Sequence, residues 1–286
     1  MARQGGPPLR DTITRVLRSY GLSRGGHSAA ADSVAPTAPA APEFTDTDFD
    51  AAAWDRGEWQ ALSAAGVRRV VMRRLPSAAI PLSPHEPDAP MYRAVIAAPQ
   101  DPDRHELQQL HDQGARGVRF GLNNAADPHA MLSYADRIVT LGWHVEIGLP
   151  AVHKTRPLEN AEWVLTQMPV SVCFSGVAGF VAERSPDDAE LTLLLDLVSM
   201  GRFWLKISGA EVAAAAAPAR ETLGRFVEAM MAVRDDRLVW GTGSAPHPTD
   251  VGAHVASALD TLSQWVPDSD RRNRILWSNA ATLYRF

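Results

Sequence analysis

Beyond Phe44 the chain alternates between amphipathic stretches and short apolar runs. Trp54, Trp59, Leu62 and Ala65 suggest a helix that stops near Gly66, and Val67 to Met72 follows as a strand. The apolar run Tyr92 to Ala98 is the next strand, then a helix around Glu106 to Gln113 and a strand Gly117 to Phe120. A helix from Pro128 to Leu141 leads to the strand Trp143 to Ile147, and a helix around Glu159 to Gln167 leads to Val170 to Phe174. Helices Pro186 to Met200 and Ala219 to Val233 precede the strands Phe203 to Ser208 and Leu238 to Trp240, and a last helix spans Asp250 to Trp265. Units of this length, each with a short, mainly apolar strand, predict an α/β fold with a closed parallel barrel rather than an open sheet.

Residues 1–42 break the pattern: arginines at 3, 10, 15, 18 and 24 are followed by an Ala/Pro-rich run from Ala29 to Pro42. Leu9, Ile13, Val16, Leu17 and Tyr20 recur at helical spacing between Pro8 and Gly21. The segment is expected to form one short amphipathic helix and a linker, serving either as a docking arm or as packing beneath the barrel. The barrel then occupies 43–286.

Composition narrows the function classes. At 45% hydrophobic and 21% charged, the chain is globular, and no apolar run approaches the ~18 residues of a spanning helix. A formal charge of -5 gives no general attraction to nucleic acid or an anionic membrane, so a small organic molecule or another protein is the expected partner. Cys173, the single cysteine, lies in an apolar run and reads as a core residue. With no secretory signal evident behind the N-terminal arginines, a cytoplasmic location is expected.

Four stretches carry a likeness to a known family. Arg237-Leu-Val-Trp-Gly-Thr-Gly-Ser-Ala-Pro-His-Pro248 resembles the last barrel strand of amidohydrolase-related, lactonase-type proteins, which reads Gly-Thr-Asp-Trp-Pro-His-Pro there. Leu110-His-Asp-Gln-Gly-Ala-Arg-Gly-Val-Arg-Phe120, Leu205-Lys-Ile-Ser-Gly209 and Asn279-Ala-Ala-Thr-Leu-Tyr-Arg-Phe286 resemble three more of its motifs, in the same order. The resemblance, closest to 2-pyrone-4,6-dicarboxylate lactonase-like hydrolases, implies a distorted (β/α)8 TIM barrel. It also implies hydrolysis of lactones or amides, or decarboxylation, with one or two metals or none.

The same resemblance exposes what this chain lacks. The family's first strand carries His-X-His, its sixth an Asp-His pair and its last an aspartate, groups that converge on a metal or on the water to be activated. Here no His-X-His exists, Ser175 and Gly176 stand at the Asp-His position, and Gly243 replaces the aspartate. The first barrel strand is therefore expected to be absent or replaced, with Ala29 to Thr47 the candidate to close the barrel.

Charged groups at the strand ends remain. Arg119, Glu146, Lys206, Ser208 and the retained loop histidine His247 are the candidate ligand-binding residues, with Arg119 and Lys206 placed to hold a carboxylate or phosphate. The competing reading pairs Glu146 with Arg119 as a purely structural ion pair. Ser175, Ser208 and Ser244 lack a nearby base and orienting acid, so no serine nucleophile is assigned. His105 and His111 have no third ligand, and neither a metal nor a cofactor is expected. His144, opening its strand, is expected to face a helix or the lower rim.

The expected function is binding of a small carboxylated ligand by a barrel whose hydrolytic site has been lost, as a non-catalytic or partner subunit. An intact paralogue or a second copy is the protein partner this implies. The alternative is a metal-independent lactonase-like hydrolase or decarboxylase on a cyclic or carboxylated molecule, so whether the chain is an enzyme stays open at this level.

Overall fold

The computed structural model describes residues 44–50, 60, 62–74, 91–121, 128–151, 156–182, 184–185, 188–209, 212, 215–243 and 251–286, with the backbone alone at 44–50, 74, 128 and 251. The N-terminal helix and linker, the helix read around Trp54, and the loop holding Ser244 and His247 lie outside the described residues.

Eight strands form one sheet in strict chain order with every pair parallel. They are β1 (Phe44–Asp50), β2 (Val67–Arg74), β3 (Met91–Ala97), β4 (Ala115–Gly121), β5 (His144–Gly148), β6 (Val172–Ser175), β7 (Phe203–Ser208) and β8 (Leu238–Gly241). β1 also packs against β8, so the first and last strands meet across the seam. The segment replacing the family's first strand is thus Phe44–Asp50, overlapping the end of the candidate stretch. The barrel is distorted: register slips occur along β1 against β2 and between Ala94 and Val95 against β4.

Helices cover the outside. They are α1 (Arg104–Asp112), α2 (Pro128–Ile138), α3 (Pro157–Leu165), α4 (Val177–Ala182), α5 (Ala189–Ser199), α6 (Ala217–Arg234) and α7 (Val251–Trp265). α8 (Ser269–Asn273), a π turn at Arg274–Asn279 and α9 (Ala280–Tyr284) complete the chain.

Local chemistry sets the boundaries. α1 starts where the Asp103 carboxylate accepts the Glu106 amide at 2.8 Å. α5 starts at Ala189, later than the pattern suggested, because Asp188 caps it and accepts from the Glu190 amide at 2.9 Å. The predicted helix from 128 to 141 is α2 plus a 3-10 turn, Val139–Leu141, ended by Gly142 at φ 65. α4 was not foreseen; Val177, Phe180 and Val181, all buried, supply its helical spacing.

Strand alternation divides the core. Val70, Met72, Ala94, Ile96, Val145, Ile147, Leu205, Leu238 and Trp240 pack outward against the helices. Val71, Val95, Cys173, Trp204 and Val239 form a separate interior cluster with Ala280, Leu283 and Tyr284 of α9. The C-terminal segment therefore plugs the lower end of the barrel, leaving the C-terminal strand ends to form the site.

Candidate functional site

The interior positions carry the chemistry. Cross-strand register places Arg119 beside Glu146, Glu146 beside Cys173, and Lys206 beside Val239. Two positions further toward the C-terminal ends, the same alternation brings Gly121, Gly148, Ser175, Ser208 and Gly241 to the barrel interior. A layer of charged side chains thus lies beneath a layer of glycines and serines, and small residues above leave room for a ligand to reach the charges below.

Glu146 is the hub of the charged layer. Its carboxylate is fully buried and accepts from Lys206 Nζ at 2.8 Å through Oε2. Arg119 Nε stands 3.5 Å from the other oxygen, Oε1. Burial by itself would raise the Glu146 pKa, but the Lys206 ammonium, then the Arg119 guanidinium and the Lys206 hydrogen bond, outweigh it and hold the carboxyl below its ordinary range. Among the described side chains two cations face this one carboxylate, and Arg119 is the accessible one, its side chain 37% exposed, whereas Lys206 is 1% exposed.

Gly148 makes this arrangement possible. A Cβ there would stand 3.2 Å from Arg119 Nη2, so the guanidinium lies directly over the bare backbone of β5. The hydroxyls of Ser175 and Ser208 are both buried and neither has a hydrogen-bond partner. A buried hydroxyl without a partner costs free energy, roughly 1–3 kcal/mol, unless a ligand or water completes it.

Of the residues singled out from the sequence, Arg119, Glu146 and Lys206 converge, and Ser208 lies two residues beyond Lys206 on the same strand. His247 lies outside the described residues. The tighter partner of Glu146 is Lys206, across the intervening strand β6, and not Arg119 on the neighbouring strand. Gly148 was missed by sequence reasoning; its signal was its place at the end of β5 beside Ser175. His144 lies at the lower end of the interior, its ring edge-on to Tyr284 at 5.1 Å.

Two glycines beyond the strand ends hold backbone shapes that favour glycine. Gly176 has φ 74 and Gly243 has φ 84, both in the left-handed region. A Cβ on Gly176 would also come within 2.7 Å of the Leu149 carbonyl oxygen. No group of three or more His, Cys, Asp or Glu able to hold a metal ion occurs among the described residues. Glu146 already spends its carboxylate on Lys206. The described donors do not fit a resident metal, and no step is derived through one.

Comparison with known proteins agrees with this architecture. The Amidohydrolase family (Amidohydro_2) is matched over residues 82–286. The chain is 28% identical over 195 residues to a 2-pyrone-4,6-dicarboxylate hydrolase of Comamonas testosteroni, a match covering 63% of this chain and 62% of that protein. It is 22% identical over 207 residues to a 4-sulfomuconolactone hydrolase of Hydrogenophaga intermedia, covering 68% of this chain and 65% of the relative. The matches thus span less than two thirds of either relative. Among solved structures, a Pseudomonas putida protein described as a 2-pyrone-4,6-dicarboxylic acid hydrolase superposes with a TM-score of 0.68 at 20% identity, over 85% of this chain and 97% of that one. With eight parallel strands in order, the charged layer inside them and a family match over most of the chain, this protein belongs to the amidohydrolase family.

Proposed function

We propose that the chain binds a small carboxylated molecule at the C-terminal mouth of the barrel and does not hydrolyse it. The observation that carries this reading is the part-exposed guanidinium of Arg119, held over Gly148 and beside Glu146 where a ligand carboxylate can meet it. A guanidinium presents two parallel N–H donors to a carboxylate, and here one edge is turned to Glu146. Ser175 and Ser208 supply hydroxyls for a second polar group of the ligand. The substrates for which the two relatives are named, a dicarboxylate and a sulfonated lactone, are rings bearing acidic groups of this kind.

Loss of hydrolysis is supported by the sequence, which has Ser175, Gly176 and Gly243 where the resemblance places an Asp-His pair and an aspartate. A binding barrel without turnover suits a partner subunit that sequesters or senses a ligand beside an intact relative or a second copy of itself. The competing reading, a metal-independent hydrolase or decarboxylase, is favoured by the activities of the two relatives.

Calorimetric titration with 2-pyrone-4,6-dicarboxylate tests the proposal. Binding is expected to weaken about tenfold to a hundredfold in Arg119→Ala, the scale of a lost charge-assisted pair. Equal affinity in wild type and Arg119→Ala would remove the guanidinium from the site.

A further inference from the structure

The opposite, N-terminal face of the barrel contains a separate cavity of about 330 Å³. It opens between the starts of β5, β6, β7 and β8 and is closed on one side by Thr282, Leu283 and Arg285 of the C-terminal segment. Its lining includes Arg237, Arg285 and His144, and contains no Asp or Glu.

Arg237 shares its one acid, Asp236, with a second arginine, and the Arg285 side chain meets no acid among the described residues. Arg237 stacks over the Trp204 ring at 4.6 Å, donates from Nε to the Gly201 carbonyl, and donates from Nη1 to Asp236 O and Oδ2 at 2.8 and 2.7 Å. Asp236 is already gripped by Arg234 at 2.8 and 2.9 Å, so one carboxylate faces two guanidiniums. Nη2 of Arg237 makes no hydrogen bond among the described residues.

Arg285 is more telling. It ends α9 with φ 57, a cap conformation that glycine or asparagine usually supplies. Arg93 clamps its carbonyl through Nε at 3.2 Å and Nη2 at 3.1 Å. The side chain then lies against Gly142, where a Cβ would approach its guanidinium to 2.1 Å, and it finds no hydrogen-bond partner among the described residues. Arg93, Arg116 and Arg285 crowd together; burial first, then the charges of Arg93 and Arg285, lower the proton affinity of Arg116. At the cavity wall the ring of His144 is buried, 2% exposed.

We propose that this cavity binds a small oxyanion, phosphate or carboxylate, between the guanidiniums of Arg237 and Arg285. The cavity lining itself holds two guanidiniums and no Asp or Glu, and donors of that kind take an oxyanion. The site is independent of the one at the barrel mouth.

Thermal unfolding in inorganic phosphate or acetate, each against sodium chloride at equal ionic strength, tests it. Near tenfold saturation the anion that fits should raise the Tm of the wild type by about 3–5 °C. The same rise is expected in Arg119→Ala, and none in Arg285→Ala or Arg237→Gln. A rise with phosphate alone assigns a phosphate group, and one with acetate alone a carboxylate. No rise with either anion overturns the proposal. So does a rise that survives in both arginine variants, which is general exclusion of salt from the surface, and so does one lost in Arg119→Ala, which belongs to the barrel mouth.

Discussion

The Lys206 ammonium meets the Glu146 carboxylate at 2.8 Å across the barrel interior, although β6 lies between their strands. Neither side chain has more than 1% of its surface exposed, so this contact supplies much of what water would otherwise give each charge. Removing one partner takes that compensation from a buried charge. Lys206→Met and Glu146→Gln should each destabilise the fold by about 3–5 kcal/mol, while Lys206→Met combined with Glu146→Leu should come within about 1 kcal/mol of wild type or exceed it. Urea unfolding of the three variants checks this, and additive losses in the double variant would contradict the pairing.

His144 ties stability to mild acid. Burial is the main cause that lowers its pKa to about 4, opposed by Glu146 and reinforced by Lys206, against 6.5 in an exposed chain. A base whose folded pKa is depressed contributes stability fully above pH 6.5, and loses it as pH falls toward 4 because only the unfolded chain takes up the proton. The loss should be about 3 kcal/mol between those limits. His144→Phe should flatten that part of the stability profile. An unchanged acid limb would show that another group titrates there.

Ser175 and Ser208 separate ligand binding from folding. Because their buried hydroxyls have no partner among the described residues, Ser175→Ala and Ser208→Ala should be neutral or stabilising by up to about 1 kcal/mol. Each should still weaken carboxylate binding. Destabilisation beyond about 1 kcal/mol would mean that the hydroxyl is part of the fold.

These relationships were unequally legible in the sequence. Alternation along Leu238–Gly241 and the apolar runs of β5 to β7 revealed the barrel, because a period of two with turn residues at each end is local information. The family resemblance put Arg119, Glu146 and Lys206 toward the strand ends. One of the two readings this left open paired Glu146 with Arg119, its neighbour in register; that contact stands at 3.5 Å, while the length of the Lys206 side chain lets it reach Glu146 more closely, at 2.8 Å. The φ values of Gly176 and Gly243 and the placement of Arg285 over Gly142 arise from tertiary contacts, and no run of residues encodes them. The first barrel strand was obscured for another reason: Phe-Thr-Asp-Thr-Asp-Phe-Asp has little of the apolar character that marks the other strands.

Restoring the family aspartate should not restore a hydrolase. Gly243→Asp places a Cβ at φ 84, a strain of about 1–3 kcal/mol for a non-glycine residue. The variant should unfold at lower urea concentration and should gain no lactone-opening activity. Activity in this single variant would show that the remaining machinery is intact.

Keeping equimolar protein and 2-pyrone-4,6-dicarboxylate together for several hours, with the ligand followed by NMR, tests retained binding and lost chemistry together. The account predicts ligand lines broadened or shifted by the wild type, far less by Arg119→Ala, and a ring still closed at the end. Ring-opened product accumulating with wild-type protein, or ligand lines indistinguishable from those of the free compound, would contradict it.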